Sequence, residues 1–275
     1  MIRLQTQTIA IGSHHYHCCF CGSVTSPPLV FLHGFLGSGA DFESIMRALS
    51  DSFYCIAVDL PGHGQTATFT DDFGMEAIAA SIIVLVETLN LKPCHLLGYS
   101  MGGRLALYLG IHFPEYFRTL LLESASPGLD TEKARCDRRQ QDERLAQRLE
   151  QEDFTEFLHR WYRLPLFQSL AQHPRYEAMF QRRLKNHPHS LARSLRGMGA
   201  GSQPSLWHEL TELKQPTLLL IGEYDTKFIE IAQSMTDQSH KISRVMLPEA
   251  GHTLHLENES AFLKAIQDFM DTIPP

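Results

Sequence analysis

His95-Leu96-Leu97-Gly98-Tyr99-Ser100-Met101-Gly102-Gly103-Arg104 is the stretch from which the architecture of this chain can be read. An apolar run enters it, a glycine-framed serine sits at its centre, and a helix-prone run from Leu105 to Gly110 leaves it. Gly-x-Ser-x-Gly between a strand and a helix makes a sharp turn whose strained backbone lifts the serine Oγ into a cleft. Gly98 and Gly102 leave room where a Cβ would clash. The pattern gains weight only if a base, an acid and oxyanion donors lie elsewhere in the chain.

On either side of this turn, strand and helix signals alternate. Leu29–Leu32 and Tyr54–Val58 are short apolar runs without alternation, as expected of strands buried on both faces. A loop, His33–Ser38, follows the first, and a helix is expected from near Asp41 to Leu49. Asp59-Leu60-Pro61-Gly62-His63-Gly64 closes the second. Residues 2 to 21 read as a hairpin about Gly12-Ser13, broken off by Pro27-Pro28. Residues 75 to 89 carry apolar positions at helical spacing: Ile78, Ile82, Leu85, Val86 and Leu89. Beyond the serine helix, Thr119–Glu123 is the next strand. Thr217–Gly222 and Arg244–Leu247 come later, with a helix between them. A last amphipathic helix spans roughly Ser260 to Met270, with Phe262, Ile266 and Phe269 on one face. Such alternation implies an α/β fold with a mostly parallel sheet and helices on both faces.

The alternation stops between Ser126 and Trp207. That segment is polar, rich in Arg and Gln, interrupted by Pro165, Pro174 and Pro188, and holds no convincing buried strand. A structureless loop of that length does not suit a compact domain. It is expected to be a helical cap over one end of the sheet. The chain accordingly divides into a core, residues 1–125 and 208–275, and a cap, residues 126–207.

The 275 residues suffice for one large α/β domain with an insertion, and 43 % hydrophobic with 20 % charged residues is ordinary globular composition. A net charge of −7 argues against generic nucleic-acid binding, which needs a basic face. No apolar run is long enough to span a bilayer, and the first residues lack a signal peptide's apolar region, so the expected compartment is the cytoplasm. His14, His15, His17, Cys18, Cys19 and Cys21 resemble a metal cluster, but neighbours on an extended chain point to opposite faces, which favours a plain strand. No metal and no cofactor is expected. Cys55 and Cys94 read as small buried hydrophobes. The sequence does not set an oligomeric state.

A serine hydroxyl needs an imidazole to take its proton, and the imidazole needs a carboxylate to hold its tautomer. Both must follow the ends of later strands, at the sheet edge where the serine turn lies. Asp225 follows Leu218–Ile221, and His252 follows Val245–Leu247 within Glu249-Ala250-Gly251-His252. The chain order Ser100, Asp225, His252 is that of the α/β-hydrolase fold. His255 rivals His252 but lies inside the next segment, and Glu223 rivals Asp225. The oxyanion donors are expected to be the backbone amides of Met101 and of Phe35, in His33-Gly34-Phe35.

The whole chain resembles the α/β-hydrolase superfamily. Within it, Gly98–Arg104, Ser126-Pro127-Gly128-Leu129, Trp161-Tyr162 with Pro165-Leu166-Phe167, Leu195–Pro204 and Gly222-Glu223-Tyr224-Asp225-Thr226-Lys227-Phe228 resemble a narrower family. That family is the 2-succinyl-6-hydroxy-2,4-cyclohexadiene-1-carboxylate synthases of menaquinone and phylloquinone biosynthesis. The resemblance implies a lyase that removes a ring proton from an enolpyruvyl cyclohexene and expels pyruvate, with Ser100 as the base. The implied partner is a small-molecule polycarboxylate, so arginines are expected around the serine, where their forks bind carboxylates bidentately. Arg104 lies one helical turn past Ser100. By the same resemblance Tyr99, Arg138, Trp161, Arg183 and Lys227 would line the pocket. Arg135 or Arg139 could stand in for Arg138, and Arg182 for Arg183. An ester or carbon–carbon-bond hydrolase on the same triad is the alternative, and a non-catalytic ligand binder is a third.

Overall fold

The computed structural model describes residues 4–274, so residues 2 and 3 of the expected hairpin lie outside the described residues. The strands are β1 Gln5–Ile11, β2 His14–Cys21, β3 Pro28–Leu32, β4 Tyr54–Val58, β5 Ala67–Thr68, β6 Cys94–Tyr99, β7 Phe117–Glu123, β8 Thr217–Gly222 and β9 Ile242–Leu247. They form one sheet in the order β1-β2-β4-β3-β6-β7-β8-β9, with the two-residue β5 attached to β2. β1 runs antiparallel to β2 and β2 to β4. From β4 onward every neighbouring pair is parallel.

Burial on both faces explains the unalternating apolar runs. Val30 and Leu32 of β3, Ile56 and Val58 of β4, and Leu120 and Leu122 of β7 point into one core. α2 Met75–Thr88 and α3 Met101–His112 contribute to that core, as does α8 Thr226–Gln238. Leu29 and Phe31, Cys55 and Ala57, and Leu121 point into the opposite core, covered by α1 Glu43–Leu49 and α10 Glu259–Met270. The short α9, Leu254–Glu257, leads into α10.

Between β7 and β8 the chain forms α4 Glu132–Gln151, α5 Phe154–Tyr162, α6 Tyr176–Arg183 and α7 Pro188–Met198, with no strand among them. Thr131 caps α4 by accepting from the Ala134 amide, and Asp153 caps α5 through the Glu156 amide. Pro165 opens a short 3-10 turn, and Pro188 takes the first position of α7, where a missing N–H does no harm. This insert has an apolar cluster of its own, including Phe157, Phe180, Leu191 and Leu195, joined by Leu36 and Leu256 from the main body. Arg196 of α7 reaches Glu143 and Glu150 of α4, clamping the longest insert helix to the last.

Three details differ from the sequence expectation. Asp41 sits in a 3-10 turn, Gly39–Phe42, ahead of α1 rather than at its first position. β5 has no counterpart in the sequence expectation, since two residues are too few to show a period. β9 begins at Ile242, two residues before the expected Arg244, and as an edge strand it leaves Val245 and Met246 exposed.

The serine turn is steric in origin. A Cβ on Gly102 would lie 2.2 Å from the Leu32 carbonyl oxygen, and one on Gly98 would lie 2.4 Å from that of Gly102. Both obstacles are backbone, so neither can swing aside. Gly102→Ala should therefore lower stability by about 1–3 kcal/mol, the usual penalty of overpacking. Urea unfolding at neutral pH measures this, and an unchanged midpoint would mean that the turn tolerates a side chain.

Candidate active site

Ser100 joins β6 to α3 with φ of 50° and ψ of −106°, a conformation that non-glycine residues rarely adopt. Its amide donates to the Glu123 carbonyl on β7 at 2.9 Å, and its carbonyl accepts from the Arg104 amide at 2.9 Å. Strand β7 on one side and the first turn of α3 on the other thus hold the strained residue.

Asp225 precedes α8 at the end of β8, and His252 follows β9; both are buried. His252 Nδ1 lies 2.6 Å from Asp225 Oδ2, and Nε2 lies 3.1 Å from Ser100 Oγ. An ionised carboxylate only accepts, so Nδ1–H donates to Asp225 and Nε2 is left to accept from the serine hydroxyl. That is the tautomer in which imidazole can take a proton from serine. Tyr99, Phe167 and Phe228 pack against the imidazole ring.

The loop carrying His252 is pinned by a residue that motif reading passes over. Glu257 accepts from the Gly251 amide through one oxygen and from the Thr253 amide through the other, both at 2.9 Å. His255 is fully buried and pairs with Glu123 at 2.8 Å. Glu223 accepts from the Glu249 amide on the surface. Both rivals of the triad members are thereby committed elsewhere.

Met101 and Phe35 line the cavity above Ser100. Met101 opens α3, where the first amides have no acceptor within the helix. Neither its amide nor that of Phe35 donates to a protein group among the described residues. His33 shapes the Phe35 turn. Its Nδ1–H donates to the Gly34 carbonyl at 2.7 Å, and its Nε2 accepts from the Leu60 amide at 2.9 Å. Burial pushes the His33 pKa down, which favours this neutral form.

Arg104, Arg138, Arg183 and Lys227 also line the cavity, as do Tyr99 and Trp161. Arg135 turns to Glu132, Arg139 to Glu132 and the Gly201 carbonyl, and Arg182 to Asp41; none of the three lines the cavity. Arg138 is paired with Asp142 at 2.7 Å and Arg183 with Asp41 at 2.6 Å. Arg183 also donates to the Tyr162 hydroxyl at 3.0 Å. Arg104 donates to the Gln203 side-chain carbonyl at 2.7 Å and the Met198 backbone carbonyl at 2.8 Å. Burial and the neighbouring Arg138 push its pKa down to about 10, so it remains a cation at neutral pH. Lys227 places its ammonium 5.6 Å from the Phe228 ring centroid and makes no ion pair among the described residues. The Tyr99 hydroxyl is engaged with Thr253 at 2.9 Å, and Trp161 packs among Phe35, Phe157 and Phe167. Ser124, also on the cavity wall, has φ of 47° and a buried hydroxyl without a partner among the described residues.

The stretch from His14 to Cys21 is strand β2; His17 pairs with Asp59 and His14 with Thr68. Among the described residues no group of three metal-ligating side chains converges, and no helix is long and apolar enough to cross a membrane.

Comparison with known proteins agrees with this fold. Residues 27–259 match the family model of the α/β hydrolase fold. A relative from Bacillus subtilis (strain 168) is 38 % identical over 261 residues, spanning 92 % of this chain and 93 % of that protein. The 2-succinyl-6-hydroxy-2,4-cyclohexadiene-1-carboxylate synthase of Yersinia pestis (strain Pestoides F) is 33 % identical over 253 residues and 90 % of each chain. The structure of MenH from S. aureus is similar with a TM-score of 0.88 at 34 % identity, covering 94 % of this chain and 98 % of that one.

The buried Asp41–Arg183 pair carries a pH signature. Burial alone would raise the Asp41 pKa, but Arg183 and then Arg182 bring it down from 3.8 to about 2. The unfolded chain therefore binds this proton first, so the stabilisation is full above pH 4 and is lost as pH falls toward 2. The difference corresponds to about 2 kcal/mol. Unfolding free energy should fall more steeply between pH 4 and 2 for the wild type than for Asp41→Asn, which at pH 7 should itself be less stable by about 3 kcal/mol. Parallel pH profiles for the two proteins would contradict the assignment.

Proposed function

The chain belongs to the 2-succinyl-6-hydroxy-2,4-cyclohexadiene-1-carboxylate synthase family of the α/β-hydrolase fold, and on that premise we propose that it is a pyruvate-eliminating lyase. Its substrate would be 2-succinyl-5-enolpyruvyl-6-hydroxy-3-cyclohexene-1-carboxylate, and its pathway that of menaquinone or phylloquinone. The observation that carries this proposal is Arg104, a cation without a carboxylate partner one helical turn from a hydrogen-bonded Ser100-His252-Asp225 relay. A cavity for neutral esters has no use for such a charge.

In the proposed mechanism Ser100 Oγ takes the proton from the ring carbon that bears the succinyl group while His252 accepts the serine's own proton. Asp225 holds the imidazole and stabilises its charged form. The C–H electron pair forms a new ring double bond, the existing double bond shifts by one position, and the bond to the enolpyruvyl oxygen breaks. Pyruvate leaves with that electron pair and is protonated. Charge gathers on the succinyl ketone oxygen along the way, and the Phe35 and Met101 amides would stabilise it. The sequence of steps is redox-neutral acid–base chemistry, so it calls for no cofactor. Arg104, Arg138, Arg183 and Lys227 would hold the carboxylates, with Tyr99 and Trp161 shaping the wall. Positioning of this kind accounts for a large part of the rate when the reacting C–H bond must meet one base. Residues 126–207 would act as the cap that closes the cavity, in a cytoplasmic enzyme.

A coupled assay for pyruvate with the enolpyruvyl substrate, run beside a neutral aryl ester, tests the assignment. Pyruvate release should dominate; rapid ester cleavage without pyruvate would instead support the hydrolase reading. Asp225→Asn should lower turnover by about a thousandfold to ten-thousandfold, because the imidazole loses its tautomer. Arg104→Ala should reduce kcat/KM for the polycarboxylate by about 10- to 100-fold, and far less for the ester. Equal losses on both substrates would make Arg104 a purely structural residue.

A further inference from the structure

The three cavity arginines are anchored in two different ways. Arg138 and Arg183 rest on carboxylates, those of Asp142 and Asp41. Arg104 rests on two neutral oxygens, one from the Gln203 side chain and one from the Met198 backbone. Asp142, whose charge acts on Arg104 without pairing with it, is already engaged by Arg138 and accepts from the Gly201 amide.

A guanidinium can only donate, so the Gln203 amide must turn its oxygen toward Arg104. Its nitrogen is then buried without an acceptor among the described residues, on a side chain that is fully buried. A buried N–H group left unpaired is destabilising. Glutamate has the same shape, would leave no orphaned donor, and would bind the cation more strongly through a charge-assisted bond. The chain holds the less stabilising of the two isosteres at the place where a carboxylate would cancel the Arg104 charge.

We propose that Gln203 is a positioning residue that fixes the Arg104 fork while leaving its charge uncompensated for a substrate carboxylate beside Ser100. The assignment rests on the polycarboxylate substrate proposed above. It makes Gln203 the determinant of how strongly the cavity prefers anionic over neutral substrates. A neutral anchor fixes geometry without competing for the ligand, whereas a carboxylate anchor would fix it and compete.

Gln203→Glu in the full chain separates these effects, because it keeps the fork in place and cancels its charge. The KM for the enolpyruvyl polycarboxylate should rise about 10- to 100-fold, with a much smaller change in kcat and a smaller loss on a neutral aryl ester. The melting temperature should stay level or rise. Gln203→Ala keeps the charge but frees the fork, and should fall between the two. A Gln203→Glu enzyme with wild-type KM overturns the proposal, as does a uniform loss on both substrates with a lower melting temperature. Isophthalate binding, followed by Trp161 fluorescence, keeps the test independent of the reaction. Wild type that releases no pyruvate defeats the lyase assignment; the Gln203 proposal then stands only if Gln203→Glu weakens isophthalate at least about tenfold. Equal isophthalate affinities, or no binding to the wild type, overturn it.

Discussion

The left-handed backbone at Ser100 is the constraint on which the rest of this molecule depends. Gly98 lets β6 meet the first turn of α3, and Gly102 lets that turn meet the end of β3, with only backbone between them and a strained residue at the apex. The strain is sustained because β7 and α3 each take one of the two backbone hydrogen bonds of Ser100. Parallel strands on both sides then present their carboxyl ends at the same edge. β8 delivers Asp225 there and β9 delivers His252. A hydroxyl in ordinary strand or helix geometry would not meet an imidazole held in this way.

Around that turn the electrostatics are graded. Two of the cavity's arginines are paired with buried acids: Asp41 ties the turn before α1 to Arg183 on α6, and Asp142 holds Arg138 one turn away on α4. Arg104 is different, since its anchors are neutral and its charge stays available. Counting arginines would make the cavity uniformly basic. Their partners make it a site with one strong, fixed point of positive potential near the serine, plus the Lys227 ammonium on the cavity wall. Such a field suits a substrate whose carboxylates must be held still while a carbon acid loses its proton.

Much of this was legible in the sequence, for identifiable reasons. Strands β3, β4 and β8 announce themselves as unbroken apolar runs because both faces are buried, and the order Ser100, Asp225, His252 follows from which strand ends precede each residue. Arg138 and Arg183 could not be told from Arg135, Arg139 and Arg182, because neighbouring helix positions differ only in direction, and direction is set by packing. Gln203, Asp41 and Glu257 were passed over as functional residues for another reason. Their partners are between 4 and 142 positions away in sequence, those of Glu257 being backbone groups, and no local motif encodes such contacts. The two-residue β5 and the 3-10 turn before α1 are too short to leave a period.

The central claim is that Ser100 removes a proton and never carries an acyl group. Single-turnover pyruvate release from substrate deuterated at the ring carbon bearing the succinyl group, set against the protiated compound, tests it most directly. The account predicts release slowed severalfold by deuterium, because breaking that C–H bond limits the step. Identical rates for the two substrates, with the quenched protein gaining the mass of an acyl group on Ser100, would contradict it.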